Sequence, residues 1–253
     1  MVTDLQKASI WKRIAAWMLD LMLVAVLAVG AATVFASIFG YDGVSDRLAA
    51  TQNHYEQKYG VDFNIAEDVY ETVPQAEKDI YDKAYNELRS DPAFNRDYSL
   101  SINLTLLIGS LSILVAVLLL EFLVPLLLKN GQTVGKKCFS IGLIRNDGVK
   151  LSNAQLFTRA LLGKYTVDIM IPIFIIVLAL TGVIGTLGLP LLCIFLIAQI
   201  ACMGFNHNNC AIHDLMSATI AVDISSQQIF SSTEELIAYT KRVHAERAKR
   251  QTY

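Results

Sequence analysis

Three long apolar stretches constrain the fold of this chain more than any other feature of its sequence. They cover residues 14–39, 102–128 and 167–205, and they contain one acidic residue each: Asp20, Glu121 and Asp168. A helix needs about 20 apolar residues to cross the roughly 30 Å hydrocarbon core of a bilayer, so the first two stretches each predict one membrane span. Since 54% of the residues are hydrophobic and only 17% are charged, the composition excludes an ordinary soluble domain.

The third apolar stretch is too long for a single span. As one straight helix, its 39 residues would reach about 58 Å. Residues 181–190, near its middle, contain three glycines and a proline, which disfavour a continuous helix. We therefore predict two short spans, 165–183 and 187–206, joined by a tight turn. A re-entrant hairpin is the alternative.

The distribution of charge predicts how the spans are oriented. Residues 41–100 contain thirteen acidic and six basic side chains, whereas residues 129–164 contain seven basic side chains and one acidic side chain. Both ends of the chain also carry basic residues. Because basic segments stay in the cytoplasm, the pattern is satisfied by four spans with both termini and residues 129–164 inside and residues 41–100 outside. A net charge of −2 excludes a generally basic nucleic-acid-binding protein.

The outer segment 41–100 carries seven of the ten tyrosines. Between Ile80 and Leu88, apolar residues recur at helical spacing with charged residues between them. This pattern predicts a small amphipathic helical cap. The cap is either a solvated link between two spans or a lid on which an extracytoplasmic protein partner docks.

The inner loop predicts two small structures. Residues 139–151 resemble a short hairpin with an Asp-Gly turn. Ser152 is expected to cap a following helix that lies along the inner interface and has Arg159 and Lys164 among its polar positions.

The end of the chain predicts one more helix, because residues 231–235 contain two overlapping capping boxes. Its basic side chains are expected to face anionic lipid headgroups. The predicted fold is therefore all-α: a polytopic membrane protein with four transmembrane helices, the last two as a short hairpin, a helical outer insertion and a small cytoplasmic hairpin. Its parts are the N-terminal tail with the first span (1–40), the acidic insertion (41–100), the remaining membrane core (101–223) with loop 129–164, and the basic tail (224–253).

The acidic residues inside the spans are the candidates for chemistry, since a carboxylate in a span costs a few kcal/mol and normally faces protein or a water-filled cavity. Asp20 and Glu121 fall at similar depth because their spans run in opposite directions. Arg13 lies on nearly the same helix face as Asp20 and is expected either to lean toward it or to reach outward to headgroups. Such a group has coupled protonation and suits a proton or cation site. The alternative is a structural network that locks the helices together. Asp168 is expected at the interface.

Other motifs do not support an enzyme, a cofactor or a metal. Residues 131–137 resemble a phosphate-binding loop but lack one spacer residue and the Ser/Thr that binds magnesium. Cysteine and histidine residues at 202, 207, 210 and 213 match no familiar zinc-ligand spacing. No arrangement of nucleophile and base for hydrolysis is visible.

Several segments, in this order, resemble the RDD family of bacterial membrane proteins, which is named for one arginine and two aspartates. The matching residues are Arg13 and Asp20 at the start, then Gly131, Gln132, Thr133, Gly135 and Lys136 with the following 141–148, then Arg159, and finally 213–222 with Asp214 as the second aspartate. The resemblance implies a multi-pass protein of the bacterial inner membrane. It also implies cation transport, since some members have been linked to Na⁺(Li⁺,K⁺)/H⁺ antiport. The long insertion departs from compact members.

Two functional hypotheses follow. In the first, the protein is an oligomeric exchanger of a monovalent cation (Na⁺, Li⁺ or K⁺) for protons, in which Asp20 and Glu121 bind the ion or proton and Arg13 tunes them. The motif residues Gly131–Lys136, together with Arg159 and Asp214, then form an inner gate or brace. In the second, the protein is a membrane scaffold or assembly factor that recruits a partner through the insertion or the basic tail.

Overall fold

The computed structural model describes residues 6–128, 130–206 and 208–251. The protein is mostly helical, at 76%. Its elements in chain order are α1 (Ile10–Ile38), α2 (Tyr41–Tyr59), α3 (Glu67–Thr72), α4 (Gln75–Ser90), α5 (Pro92–Leu128), α6 (Val134–Cys138), β1 (Ile141–Arg145), α7 (Asn153–Leu180), α8 (Gly185–Phe205), α9 (Ile212–Met216), β2 (Thr219–Asp223) and α10 (Thr233–Gln251).

Four helices, α1, α5, α7 and α8, are long and apolar enough to cross a membrane. Large apolar side chains are exposed along them, among them Val26, Leu180 and Phe205. Extensive exposed apolar surface of this kind is typical of helices that face lipid. The four predicted spans are thus present as helices, and the third apolar stretch divides at the predicted turn, where Gly182 has a φ of +78°.

Helix α7 corrects one prediction. The interfacial helix expected after Ser152 is the first part of α7 and continues without a break to Leu180. Ser152 does cap it, in a capping box with Gln155. Arg159 and Lys164, however, are only 3% and 7% exposed and do not lie among polar surface positions. Arg159 has acidic partners on two other elements, and Lys164 pairs with Asp168 one turn later on α7.

Helices α5 and α7 each contain a widened, π-helical stretch, Leu118–Leu123 and Arg159–Met170. In both helices a proline, Pro125 or Pro172, lies two residues after the stretch. A proline has no N–H group and its ring presses on the preceding turn, so the regular hydrogen-bond ladder cannot continue through it. Short π-helical turns inside α-helices, such as the six-residue stretch Leu118–Leu123, are frequent at functional sites.

Strands β1 and β2 form an antiparallel pair, in register from Ile141 opposite Asp223 to Arg145 opposite Thr219. The hairpin predicted for residues 139–151 is therefore wrong in its main pairing, because the partner of β1 comes from the far end of the chain. Only a single bridge, between Ile144 and Lys150, closes the Asp-Gly turn. Both strands are buried for most of their length, so pairing them buries more apolar surface than the local hairpin would.

Two of the apolar clusters within the unit formed by residues 1–28 and 113–253 involve the long helices. One lies beneath the strands and joins them to α1 and α7; it contains Ala8, Ala16, Ile141, Leu143, Leu151, Leu156 and Ala221. The other joins α1 to α5 and contains Val24, Ala116, Val117 and Leu120. These clusters fix the ends of the long helices near one another.

Residues 29–112 form a second compact unit. Within it α2 packs on α4, which buries Ala84 and Leu88. The predicted amphipathic helix is confirmed as α4, although Ile80 and Tyr85 remain 45% and 41% exposed.

At the other end of the chain α10 begins as predicted, with the Ser232 hydroxyl accepting a hydrogen bond from the backbone N–H of Glu235.

Candidate functional site

A continuous chain of ion pairs is buried where α1, α5, α6, α7 and α9 meet. Among the described residues it joins four acidic and four basic side chains, whose formal charges sum to zero, and a histidine lies beside them. The acids are Asp20, Glu121, Asp168 and Asp214; the bases are Arg13, Lys136, Arg159 and Lys164; the histidine is His213. We call this group the charge network.

Asp20, on α1, is held by the turn that begins α6. One carboxylate oxygen accepts a hydrogen bond from the Thr133 hydroxyl at 2.5 Å, and the other accepts one from the backbone N–H of Gly135 at 2.8 Å. Only 3% of Asp20 is exposed. Thr133 also caps α6, because its hydroxyl accepts a hydrogen bond from the backbone N–H of Lys136. Hydrogen bonds to an ionised carboxylate are strong, so Asp20 is fixed in place.

Glycine at position 135 is required by the close approach of this turn to α1. A Cβ atom there would lie 2.3 Å from the carbonyl oxygen of Ala16 and 2.9 Å from the carboxyl carbon of Asp20.

The first two residues of the motif, Gly131 and Gln132, hold the segment to β1. Gly131 provides a turn with a φ of +63°, and the Gln132 amide donates to the carbonyl of Ile141 at 3.0 Å.

Lys136 joins the two carboxylates that the sequence singles out. Its Nζ lies 3.2 Å from Oε2 of Glu121, 3.2 Å from the hydroxyl oxygen of Thr133 and 3.8 Å from Oδ2 of Asp20. Burial lowers the pKa of Lys136 from its ordinary value, and the neighbouring charge of Arg159 acts in the same direction, against the two carboxylates. The ammonium is thus held among three oxygen atoms in a buried site.

Arg159, in the widened stretch of α7, bridges two acids from different elements. Its Nη1 lies 3.2 Å from Glu121 on α5, and its Nη2 lies 2.9 Å from Asp214 on α9. The planar guanidinium suits such a fork of two carboxylates. Glu121 therefore points toward the third span.

Asp214 is fully buried and pairs with a second base, Arg13, in addition to Arg159. Arg13 Nη2 lies 2.5 Å from its carboxylate, and Arg13 also donates to the carbonyl of Asn209. The expectation that Arg13 leans toward Asp20 is therefore wrong, because α9 brings a nearer acid to the start of α1. Burial raises the pKa of Asp214, but the interactions with His213, Arg159 and Arg13 outweigh it and hold this pKa well below its usual range.

A side branch of the charge network continues along α7. Asp168 lies 3.1 Å from Lys164 Nζ and 2.8 Å from His213 Nδ1, and it accepts a hydrogen bond from the Gln199 amide. Gly163 allows this contact, since a Cβ there would lie 2.6 Å from the Cβ of His213. Asp168 is thus part of the charge network and is not simply interfacial.

The sequence does contain a signal for this arrangement. Glu121 and Asp168 each lie four residues before a proline, so the prolines free the backbone carbonyls of these two acids from the helix ladder. Both acids also fall inside the widened stretches. The central position of Lys136 has no such local signal, because its partners lie on other elements.

Metal binding has no support within the described part of the chain, where no group of three histidine, cysteine or carboxylate side chains is close enough to hold an ion. His207, one of the residues considered for zinc, lies outside the described residues.

Comparison with known proteins completes the description of the site. No functionally curated protein and no solved structure gives a significant match. The sequence pattern of the RDD family matches residues 7–218, a range that contains every member of the charge network. This range covers most of the chain, and the protein therefore belongs to the RDD family.

Proposed function

We propose that this RDD-family membrane protein exchanges a monovalent cation for a proton, with oxygen atoms of Asp20, Glu121 and Thr133 as the ligands of the cation. The observation that carries the proposal is the buried ammonium of Lys136, which is itself a monovalent cation within 3.8 Å of all three oxygens. Carboxylate and hydroxyl oxygens are hard ligands, which suit Na⁺, Li⁺ and K⁺.

The balance of charge supports coupling to protons. A cation that entered the neutral charge network alone would leave an uncompensated charge in a buried place, which is costly. The cost is avoided when the ammonium of Lys136, whose pKa is lowered by burial, releases one proton for each cation that enters. Exchange of one cation for one proton follows from this balance, with Arg13, Arg159 and Asp214 as a brace that keeps Glu121 in place.

The proposal includes the setting of the protein. Membership of the RDD family supports a bacterial inner membrane location, and the excess of basic residues in 129–164 favours a cytoplasmic position for that segment and for both termini. Four helices leave little room for a pathway within one chain, so we propose a homo-oligomer. No enzymatic activity and no cofactor are included.

Transport assays on everted membrane vesicles test the exchange. In vesicles that contain the wild-type protein, added Na⁺, Li⁺ or K⁺ should collapse a preformed pH gradient, and D20N and E121Q should abolish this response at equal expression. The matched controls are D42N and E77Q, which change exposed carboxylates outside the charge network. Absence of a cation response in the wild type, or full activity of both D20N and E121Q, would contradict the proposal.

A scaffold remains the second candidate, favoured by the fact that every acid of the charge network has a basic partner. Such pairing also suits a lock between helices. In that case vesicles show no exchange, and a partner bound through residues 41–100 is expected to co-purify with the wild type and not with a variant that lacks those residues.

A further inference from the structure

Lys136 occupies the centre of the proposed cation site, and its position suggests a role in selecting what binds there. We infer that Lys136 is a tethered competitor: its ammonium fills the place of a free monovalent cation, and the cation binds only when the ammonium moves away. This inference rests on the proposed function in one respect, the assignment of the oxygens of Asp20, Glu121 and Thr133 as cation ligands.

The oxygen atoms are held in place without help from Lys136. Asp20 is fixed by the Thr133 hydroxyl and the backbone N–H of Gly135, at 2.5 and 2.8 Å. Glu121 is fixed by Arg159, which is itself anchored on Asp214. The site therefore keeps its shape when the ammonium leaves, which is the condition for another cation to take its place.

The side chain of Lys136 suits displacement better than the neighbouring arginine does. A lysine carries a compact charge on a flexible four-carbon stem, whereas a guanidinium is a rigid fork. The ammonium is 3.8 Å from Asp20, beyond hydrogen-bond distance. Arg159, by contrast, forms ion pairs with carboxylates on both sides of its guanidinium. Lys136 is therefore the base that a cation can replace with the least disruption.

Charge arithmetic sets the consequence. Among the described residues the charge network sums to zero with Lys136 in place, and replacing Lys136 by a neutral residue leaves it at −1. One monovalent cation then restores neutrality. The variant K136Q should bind Na⁺ or K⁺ in the place that the ammonium occupies in the wild type. The wild type should bind the same ions more weakly, because the tethered ammonium competes with them.

The experiment measures the thermal stability of the full-length protein in detergent as NaCl, LiCl or KCl replaces choline chloride at constant ionic strength. A pH of about 8.5 keeps protons from neutralising the carboxylates. We expect K136Q to be stabilised by one or more of these ions, with a half-saturating concentration roughly tenfold or more below that of the wild type. K136R keeps the charge in a rigid form and should show no stabilisation. K137Q, an exposed neighbour on the same helix, should resemble the wild type.

A double variant tests the charge arithmetic directly. K136Q/E121Q returns the charge network to zero, so its stability should no longer depend on the cation. If K136Q cannot be purified, the yield of folded K136A extracted in Na⁺ rather than choline gives the same readout, with a higher yield in Na⁺ expected. Equal responses of K136Q and the wild type, or a response of K136R equal to that of K136Q, would overturn the inference.

The two proposals fail separately. Cation-dependent stabilisation of K136Q without exchange by wild-type vesicles would reject the exchanger and keep the competitor role of Lys136. Exchange by the wild type with no added cation dependence in K136Q would keep the exchanger and reject this role.

Discussion

Replacing Arg159 with methionine keeps a long side chain and removes the guanidinium that bridges Glu121 and Asp214. The two ion pairs have lengths of 3.2 and 2.9 Å. At an effective dielectric constant of about 20, each contributes roughly 5 kcal/mol of Coulomb attraction, and the cost of burying the guanidinium offsets a large part of the sum. Removing one partner of a buried pair costs about 3–5 kcal/mol, because the remaining charge is left buried. We expect R159M to lose stability in this range.

Chemical denaturation of the purified protein in detergent measures this loss. The matched control is R145M, whose ion pair with Asp147 is about 40% exposed on both sides and should contribute at most about 1 kcal/mol. The double variant R159M/E121Q removes one acid together with the base, so it should recover part of the stability that R159M lost. The reasoning is refuted if R159M is no less stable than R145M, or if the double variant is less stable than R159M alone.

Two further predictions concern the same region. The free energy of unfolding of G135A should fall by about 2–4 kcal/mol, because its Cβ would lie 2.3 Å from the Ala16 carbonyl and would displace the turn that holds Asp20. The control G30A has nothing within 4 Å of its added Cβ, so it should be as stable as the wild type or slightly more stable in the same denaturation assay. The pKa of Asp214 in the folded protein lies below its value in the unfolded chain, so Asp214 stabilises the fold fully above about pH 4 and loses this contribution as the pH falls further. Melting temperatures measured between about pH 3 and pH 7 should therefore depend less on pH in D214N than in the wild type. Equal slopes of melting temperature against pH in the two proteins would contradict this assignment.

The spans could be predicted from the sequence because lipid imposes a simple rule on composition and length. A stretch of about 20 apolar residues has few other stable environments, so the positions of α1 and α8 followed from hydropathy alone. The beginnings of α5 and α7 did not. The residues before the apolar part of each of these helices are polar. Whether such residues extend the helix or form a loop depends on tertiary contacts.

The charge network could be predicted only in part, because its contacts are between residues far apart in the chain. Asp20 and Glu121 were recognisable as acids in apolar surroundings. Arg159 and Lys164 read as polar surface positions, since a basic residue on a helix is usually solvated. The burial of Arg159 depends on Glu121 and on Asp214 of α9, which local periodicity cannot reveal, whereas Lys164 pairs with Asp168 one turn later on the same helix.

The pairing of β1 shows the same limit in a simpler form. An Asp-Gly turn between apolar residues favours a local hairpin, and the turn is present with Gly148 at a φ of +88°. The second strand is nevertheless β2, more than 70 residues later, because Ile220 and Val222 become fully buried against it. This long-range pairing also places α9, and with it Asp214, beside Arg13. The error about the hairpin and the error about Arg13 therefore have one physical cause.

Neutrality explains how the buried charge network can hold eight charged side chains. Each acid is stable in the buried site only while a base lies beside it, so the charge of the group as a whole is constrained more tightly than the identity of any one pair. Arg13 and Arg159 secure Asp214 and Glu121. Lys136 is the base at the centre whose charge is both compact and flexibly attached. A change in the charge of the group is then either compensated by an ion that enters at this position or destabilises the fold. The cation dependence expected of K136Q and the loss of stability expected of R159M are therefore two consequences of the same constraint.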